Sequence, residues 1–262
     1  MLDRAKLTSH LNREEDRILG NHILDRIGIV LQQENTQSTN FLDPYEQEIA
    51  TGMLKQLSQV NYLVDGGYQG AERKRITIFP EYLFPDHIEP PVAILRIEGN
   101  FNFHVVEHRD YLGAITALGI KREMLGDILV LNTFSQVVVA EELRDFIILN
   151  LGQVHQVPVV VTEIAKDDLV LPPDNTKEIK ATVASMRLDA VASAGFGDSR
   201  SKIVKYIKSE KVKVNWKLAV NPAQKVEVND LISLRGRGRI EIIKDNGRSH
   251  RDRIKLMLKK YN

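Results

Sequence analysis

The chain has 262 residues, 43% hydrophobic and 27% charged, a composition that supports packed cores and excludes wholesale disorder. It has no cysteine, which excludes disulfides, thiol chemistry and cysteine-ligated zinc; no apolar run approaches the roughly 18 residues of a bilayer span, so no membrane insertion is expected. The net charge of +1 hides a division: residues 1–179 hold 16 Lys+Arg against 27 Asp+Glu, a balance of −11, whereas residues 180–262 hold 20 against 8, a balance of +12, and so basic an end predicts a nucleic-acid partner ahead of a merely solvated surface.

The opening segment MLDRAKLTSHLNREEDR is polar and charged, unlike a secretory signal, and with the missing cysteines it fits a cytoplasmic protein. Leu11, Ile18, Leu19, His22, Ile23, Ile27, Val30 and Leu31 recur at helical spacing and predict one long amphipathic helix. Asp43-Pro44 supplies an N-cap and a first-turn proline for a second helix ending near Leu57. Residues 1–70 therefore read as an N-terminal helical domain, closed by a flexible turn over Asp65-Gly66-Gly67-Tyr68-Gln69-Gly70.

From 71 to 172 short β-branched runs predict strands at 76–79, 92–97, 128–131, 136–139 and 157–161, with helical patterns at about 107–118 and 141–151 between them. That alternation predicts an α+β domain of ferredoxin-like, RNA-recognition-motif-like topology; it lacks the aromatic signature of base stacking on the sheet. His108, Arg109, Lys121 and Arg122 form a basic cluster in this acidic block, readable either as a second RNA contact or, for Arg109 and Asp110, as internal pairing that holds a helix. Pro172-Pro173-Asp174-Asn175-Thr176 is the clearest linker.

Residues 180–245 predict helices at Arg187–Ala194 and Ser199–Ser209, then strands near 212–214, 218–220, 231–235 and 239–243. Ser199 can cap the second helix, whose N-terminal amides offer a phosphate site. Arg200, Lys202, Lys205 and Lys208 spread over its polar side, with Ile203, Val204 and Ile207 as the apolar stripe. Arg235, Arg237 and Arg239 alternate, so in a strand they share one face, and Gly236 and Gly238 admit a close backbone. Arg187 and Asp189 read equally well as a helix-terminal ion pair. The basic tail, 246–262, is expected to be helical or simply solvated.

The stretch MRLDAVASAGFGDSRSKIVKYIKSEKVKVNWKLAVNPAQKVEVNDLISLRGRGRIEI resembles the S-four RNA-binding domain, or alpha-L motif. Arg187-Leu188-Asp189, Gly195, Ser199-Arg200, the turn Val212-Lys213-Val214-Asn215 and Asn229-Asp230-Leu231-Ile232-Ser233-Leu234 carry the resemblance over about sixty residues. Trp216 stands where that family usually has glycine, and is a candidate to stack on a base. The resemblance implies RNA contact by Arg187, Ser199, Arg200, Lys202, Lys205, Lys208, Lys213, Asn215, Arg235, Arg237 and Arg239. His108-Arg109-Asp110-Tyr111-Leu112-Gly113-Ala114, Leu118-Gly119-Ile120-Lys121-Arg122-Glu123, Gly126-Asp127-Ile128 and Gly67-Tyr68 through Ala71-Glu72-Arg73 extend it over nearly the whole chain to the YlmH-type family, including its cyanobacterial and plastid branch labelled photosystem II S-four domain protein. That implies a protein associated with the large ribosomal subunit, with ribosomal RNA and tRNA as partners and a role where translation stalls. Acidic residues 1–179 leave room for a protein partner.

Catalysis is not expected. His108-Arg109-Asp110 matches three residues of the kinase catalytic loop without its glycine-rich loop or Asp-Phe-Gly. His104, Glu107 and His108 lack the HExxH order of a zinc site, and His104 reads as the end of a strand, so neither metal nor cofactor is expected. The enzyme alternative is an RNA-modifying enzyme using the basic domain to hold its substrate, such as a pseudouridine synthase or a methyltransferase; a methyltransferase would need a glycine-rich cofactor loop that the chain lacks.

Overall fold

The computed structural model describes residues 3–101, 104–173 and 176–261. They form two compact units, Met1–Pro172 and Pro173–Asn262. The expected linker brackets that boundary, although its Asp174 and Asn175 lie outside the described residues. No helix among the described residues is long and apolar enough to cross a membrane.

Unit 1 begins with α1 (Arg4–Thr8), α2 (Glu14–Gln33), β1 (Gln37–Ser38), α3 (Pro44–Leu54), β2 (Val60–Asp65) and β3 (Arg75–Pro80). The cap of α3 follows the sequence: the Glu46 amide donates to the Asp43 carboxylate and the Asp43 amide to the Glu46 carboxylate. The first expected domain is not purely helical, however. Its three strands form an antiparallel sheet in the order β1-β3-β2, against which α2 and α3 bury Ile23, Leu24, Ile27, Val30 and Met53. A boundary at 70 would cut between two paired strands, with Val60 opposite Pro80 and Asp65 opposite Arg75. β3 is buried along its whole length, so its sequence has no alternation to say which sheet it joins.

β4 (Val92–Gly99), α4 (His108–Ala117), β5 (Leu125–Val130), β6 (Phe134–Ala140), α5 (Arg144–Asn150), β7 (Gln153–Val154) and β8 (Val157–Ile164) complete the unit. Their all-antiparallel sheet has the order β5-β6-β4-β8-β7, the ferredoxin-like arrangement with β7 added as a short hairpin strand. Tyr111 and Ile115 of α4 and Ile147 of α5 pack on Leu95, Ile97, Val137 and Val139 of one sheet face. His104 follows β4 in a loop rather than ending a strand, with its ring 5.9 Å from that of His155. The stretch 65–70 is not a free turn. The Gly67 amide donates to Asp65 at 2.7 Å, and the Asp127 carboxylate on β5 accepts from the Tyr68 hydroxyl at 2.8 Å and the Glu72 and Arg73 amides at 2.7 and 3.1 Å.

Unit 2 runs β9 (Thr176–Val183), α6 (Leu188–Phe196), α7 (Arg200–Lys208), β10 (Val212–Val214), β11 (Lys217–Leu218), β12 (Leu231–Leu234), β13 (Gly238–Arg248) and β14 (Ile254–Tyr261). The sheet order is β11-β10-β12-β13-β14-β9, all antiparallel. Both helices pack on its inner face, where Val191, Phe196, Ile203 and Ile207 meet Ile232, Ile240, Ile242 and Leu258. Gly195 is the point of closest approach: a Cβ there would lie 2.3 Å from Ile240 Cδ1. The unit thus exceeds the expected span of 180–245, and the tail is a strand rather than a helix. Ile254, Leu256 and Leu258 alternate into the core, a period-2 pattern that basic residues between them obscured. The β10–β11 turn holds Asn215 and Trp216 at φ 49° and 62°, the two left-handed positions of a tight hairpin, so tryptophan occupies a conformation that glycine adopts without cost.

Candidate nucleic-acid interface

Two carboxylates, Asp189 in the first turn of α6 and Asp198 in the loop between α6 and α7, organise the cations around them. Asp189, 4% exposed, accepts Arg187 Nε and Nη2 at 3.1 Å each and Arg200 Nη2 at 2.7 Å. Burial works to raise its pKa, but the hydrogen bonds and charges of the two arginines outweigh it and hold Asp189 below the ordinary carboxylate value. Asp198 takes Lys202 Nζ at 2.7 Å on Oδ1 and lies 3.4 Å from Arg237 Nη2 through Oδ2. The Lys202 hydrogen bond and the nearby positive charge of Arg237 hold it low as well. Arg237 also donates to the Phe196 carbonyl at 3.0 Å, so the arginine turn is fastened to the end of α6.

The expected contact residues therefore divide. Arg187, Arg200, Lys202 and Arg237 are drawn together, each tied to a carboxylate with its side chain 42–51% exposed. Their outer surfaces remain open to a second anion in a fixed geometry. Ser199 caps α7 by accepting the Lys202 amide at 3.3 Å. Lys205 and Lys208 are exposed and make no ion pair among the described residues. With Lys202 they follow a three-residue ridge along the solvent side of α7, rising about 4.5 Å per step. Their place in the last turn also complements the helix dipole.

Two expectations change. Arg235 and Arg237 do not share a strand face with Arg239: β12 ends at Leu234 and β13 starts at Gly238, so the first two sit in the connecting turn and only Arg239 is in a strand. The positive φ of Gly236 and Gly238, 79° and 84°, makes that turn tight. Asn215 is occupied by the fold, its amide nitrogen donating to Asp230 at 2.8 Å and its oxygen accepting the Leu231 amide at 2.9 Å. Lys213 is exposed on β10. Sequence reasoning missed Lys211 and Tyr206. Lys202 and Lys211 lie 5.7 and 6.0 Å from the Tyr206 ring centroid, and the Lys211 carbonyl accepts the Arg235 amide at 2.9 Å. The only signal was their nearness to Lys205 and Lys208.

The second cluster, in the middle domain, does not converge. His108 and Arg109 open α4, whereas Lys121 and Arg122 follow its far end, and a ten-residue helix is about 15 Å long. Arg122 turns inward and donates to the Leu125 and Gly126 carbonyls at 2.6 and 3.1 Å. Burial, with Arg73 beside it, pushes its pKa down to about 10. Arg109 pairs with Glu107 at 3.2 Å and Lys121 lies 4.0 Å from Glu123, each with an 80% exposed side chain. Asp110 caps α4 by accepting the Glu107 amide at 2.8 Å, so the helix-holding reading describes Asp110, while Arg109 adds an exposed ion pair to the same N-cap residue.

Three family models match successive stretches of the chain: residues 15–83 ("YlmH, N-terminal"), 85–168 ("Putative RNA-binding domain in YlmH") and 186–232 ("S4 domain"). A protein of Bacillus subtilis (strain 168) named "Ribosome-associated protein quality control protein P2" is 34% identical over 244 residues, 93% of this chain and 95% of the relative. The chain belongs to the YlmH family. A solved structure, "Cell division protein ylmH from Streptococcus pneumoniae", shares the YlmH fold over 60% of this chain and 96% of its own, with a TM-score of 0.52 at 22% identity. The S4 model covers α6, α7, β10, β11 and the first two residues of β12, and so contains Asp189, Asp198, Lys205 and Lys208. The N-terminal model ends at residue 83, just beyond β3. The cations expected of a YlmH-type chain at 108–122 fall in the middle model, a region with 6 Lys+Arg against 13 Asp+Glu, so any RNA contact there is local rather than driven by the field of the domain.

Proposed function

We propose that this chain is a non-catalytic RNA-binding protein that docks on structured ribosomal RNA and tRNA at the large ribosomal subunit and acts where translation has stalled. The observation that carries the reading is the α6–α7 junction. The buried Asp189 and the part-buried Asp198 fix Arg187, Arg200, Lys202 and Arg237, and Lys205 and Lys208 beside them make no ion pair among the described residues. Such a surface suits phosphate and groove shape more than base sequence. Membership in the YlmH family and the ribosome-associated name of the Bacillus subtilis relative support the ribosomal setting, which also implies a cytoplasmic protein. The role needs no chemical step on RNA; incubation of a tRNA and ribosomal RNA pool with the chain should leave its nucleosides unchanged by mass spectrometry, and a new modified nucleoside would establish an enzyme instead.

The test is co-sedimentation with ribosomes over a salt series, with crosslinked RNA recovered and sequenced. Salt-sensitive binding to the large subunit, with crosslinks to ribosomal RNA and tRNA, is expected. A chain that stays free at every salt concentration and recovers no RNA would end this reading and put a protein-binding role of acidic unit 1 first.

A further inference from the structure

The basic tail has a geometry the sequence did not show. β13, β14 and β9 form one side of the unit 2 sheet, and α6 covers their inner face. On the outer face Lys244 of β13, Met257 of β14 and Lys180 of β9 lie in one cross-strand row. Lys255, two residues from Met257, is a diagonal neighbour of both lysines, at about 7–8 Å in such a lattice. The fourth lysine of this face, Lys259, has Glu241 and Glu178 directly across from it; Lys180, Lys244 and Lys255 have no carboxylate in register. All three are exposed and make no ion pair among the described residues.

A β-bulge creates the arrangement. Ile240 and Ile242 point into the core, and simple alternation would send Lys244 the same way. The register shift between Ile242 and Lys244 instead sets Lys244 opposite Met257, on the outer face. Three like charges held this close on a rigid sheet repel one another, and an anion that spans them removes the penalty.

We propose that Lys180, Lys244 and Lys255 form a second contact for RNA phosphates, on the side of the sheet opposite α7, so that unit 2 holds two RNA segments at once. The proposal rests on the RNA-binding reading above and extends it beyond the S4 match, which ends at residue 232. The ligand is the sugar-phosphate backbone, because ammonium groups supply point charge without the planar fork that reads base edges.

The test uses the full-length chain and a short RNA hairpin, with affinity measured against salt for four variants. Lys180→Gln/Lys244→Gln/Lys255→Gln should lower the log–log salt slope by about 2, at roughly 0.7–0.9 per lost contact. Lys205→Gln/Lys208→Gln should lower it separately, and the losses should add in the combined variant. Lys180→Arg/Lys244→Arg/Lys255→Arg should retain the parent slope, which excludes misfolding as the cause. Parent-like binding by the triple glutamine variant, with a weakened Lys205/Lys208 variant, would overturn the second contact and leave the RNA reading standing. A parent chain whose RNA binding shows no salt dependence would overturn both.

Discussion

Two basic clusters were visible in the sequence, at 108–122 and at 187–239, and only the second converges in space. In the first, a histidine and three cations are split between the two ends of α4 and one of the cations, Arg122, is spent on backbone carbonyls. In the second, residues from α6, α7 and the β12–β13 turn meet at Asp189 and Asp198. What separates them is a buried carboxylate. A partly buried acid collects cations from distant parts of the chain and orients them, whereas cations along one helix only share a solvated surface.

The largest expected effect is on stability. Asp189→Ala removes the common partner of Arg187 and Arg200 and should cost about 3 kcal/mol in urea unfolding of unit 2. An unchanged midpoint would show that the junction is not held by that acid. The same pair should appear in the pH profile. The Asp189 pKa is depressed in the folded state, so its contribution is present above the unfolded carboxylate pKa near 3.8 and is lost as pH falls through the lower folded value. Asp189→Asn should flatten this acid limb, and an unaltered limb would assign it to other groups. Next, Arg122→Met should destabilise unit 1 by about 2 kcal/mol, by removing its charged hydrogen bonds to the Leu125 and Gly126 carbonyls, the first of which keeps only Arg73 Nε, while RNA affinity holds; a selective loss of RNA binding would return Arg122 to the interface.

Smaller again is the effect on binding. Lys205→Glu/Lys208→Glu should reduce the RNA salt slope by about 1.5–2 with the melting curve unmoved. These are better probes than Arg200, where a reversed charge would face Asp189 and confuse folding with binding. Arg109→Ala/Lys121→Ala should have the least effect, a slope change of about 1 or less and a stability change within ~0.5 kcal/mol. A loss as large as that of the α7 pair would make the middle domain an equal partner in RNA binding.

Much of the fold was legible because local rules and tertiary structure agree. The capping box at Asp43 and Glu46, the Ser199 cap and the short apolar runs of β4, β6 and β8 each state their element in a few residues. The ferredoxin-like order followed from their alternation with two helices. β3 was legible as a strand but not as a member of the first sheet, since full burial erases the pattern that assigns a partner. The tail was misread because the lysines and arginines between Ile254, Leu256 and Leu258 looked like a solvated segment.

The sequence by itself determined the charge division, the element types and the position of the S-four motif, because these depend on composition and on neighbours a few residues apart. The tertiary structure decided which cations are free. Arg200 and Lys205 are five residues apart on one helix, yet one is bound to Asp189 and the other faces water, because the α6–α7 crossing brings only the first beside that carboxylate. Lys244 faces outward only because a one-residue bulge shifts its register against β14. Charge is a property of the residue; its availability to a ligand depends on partners that the chain brings close only by folding.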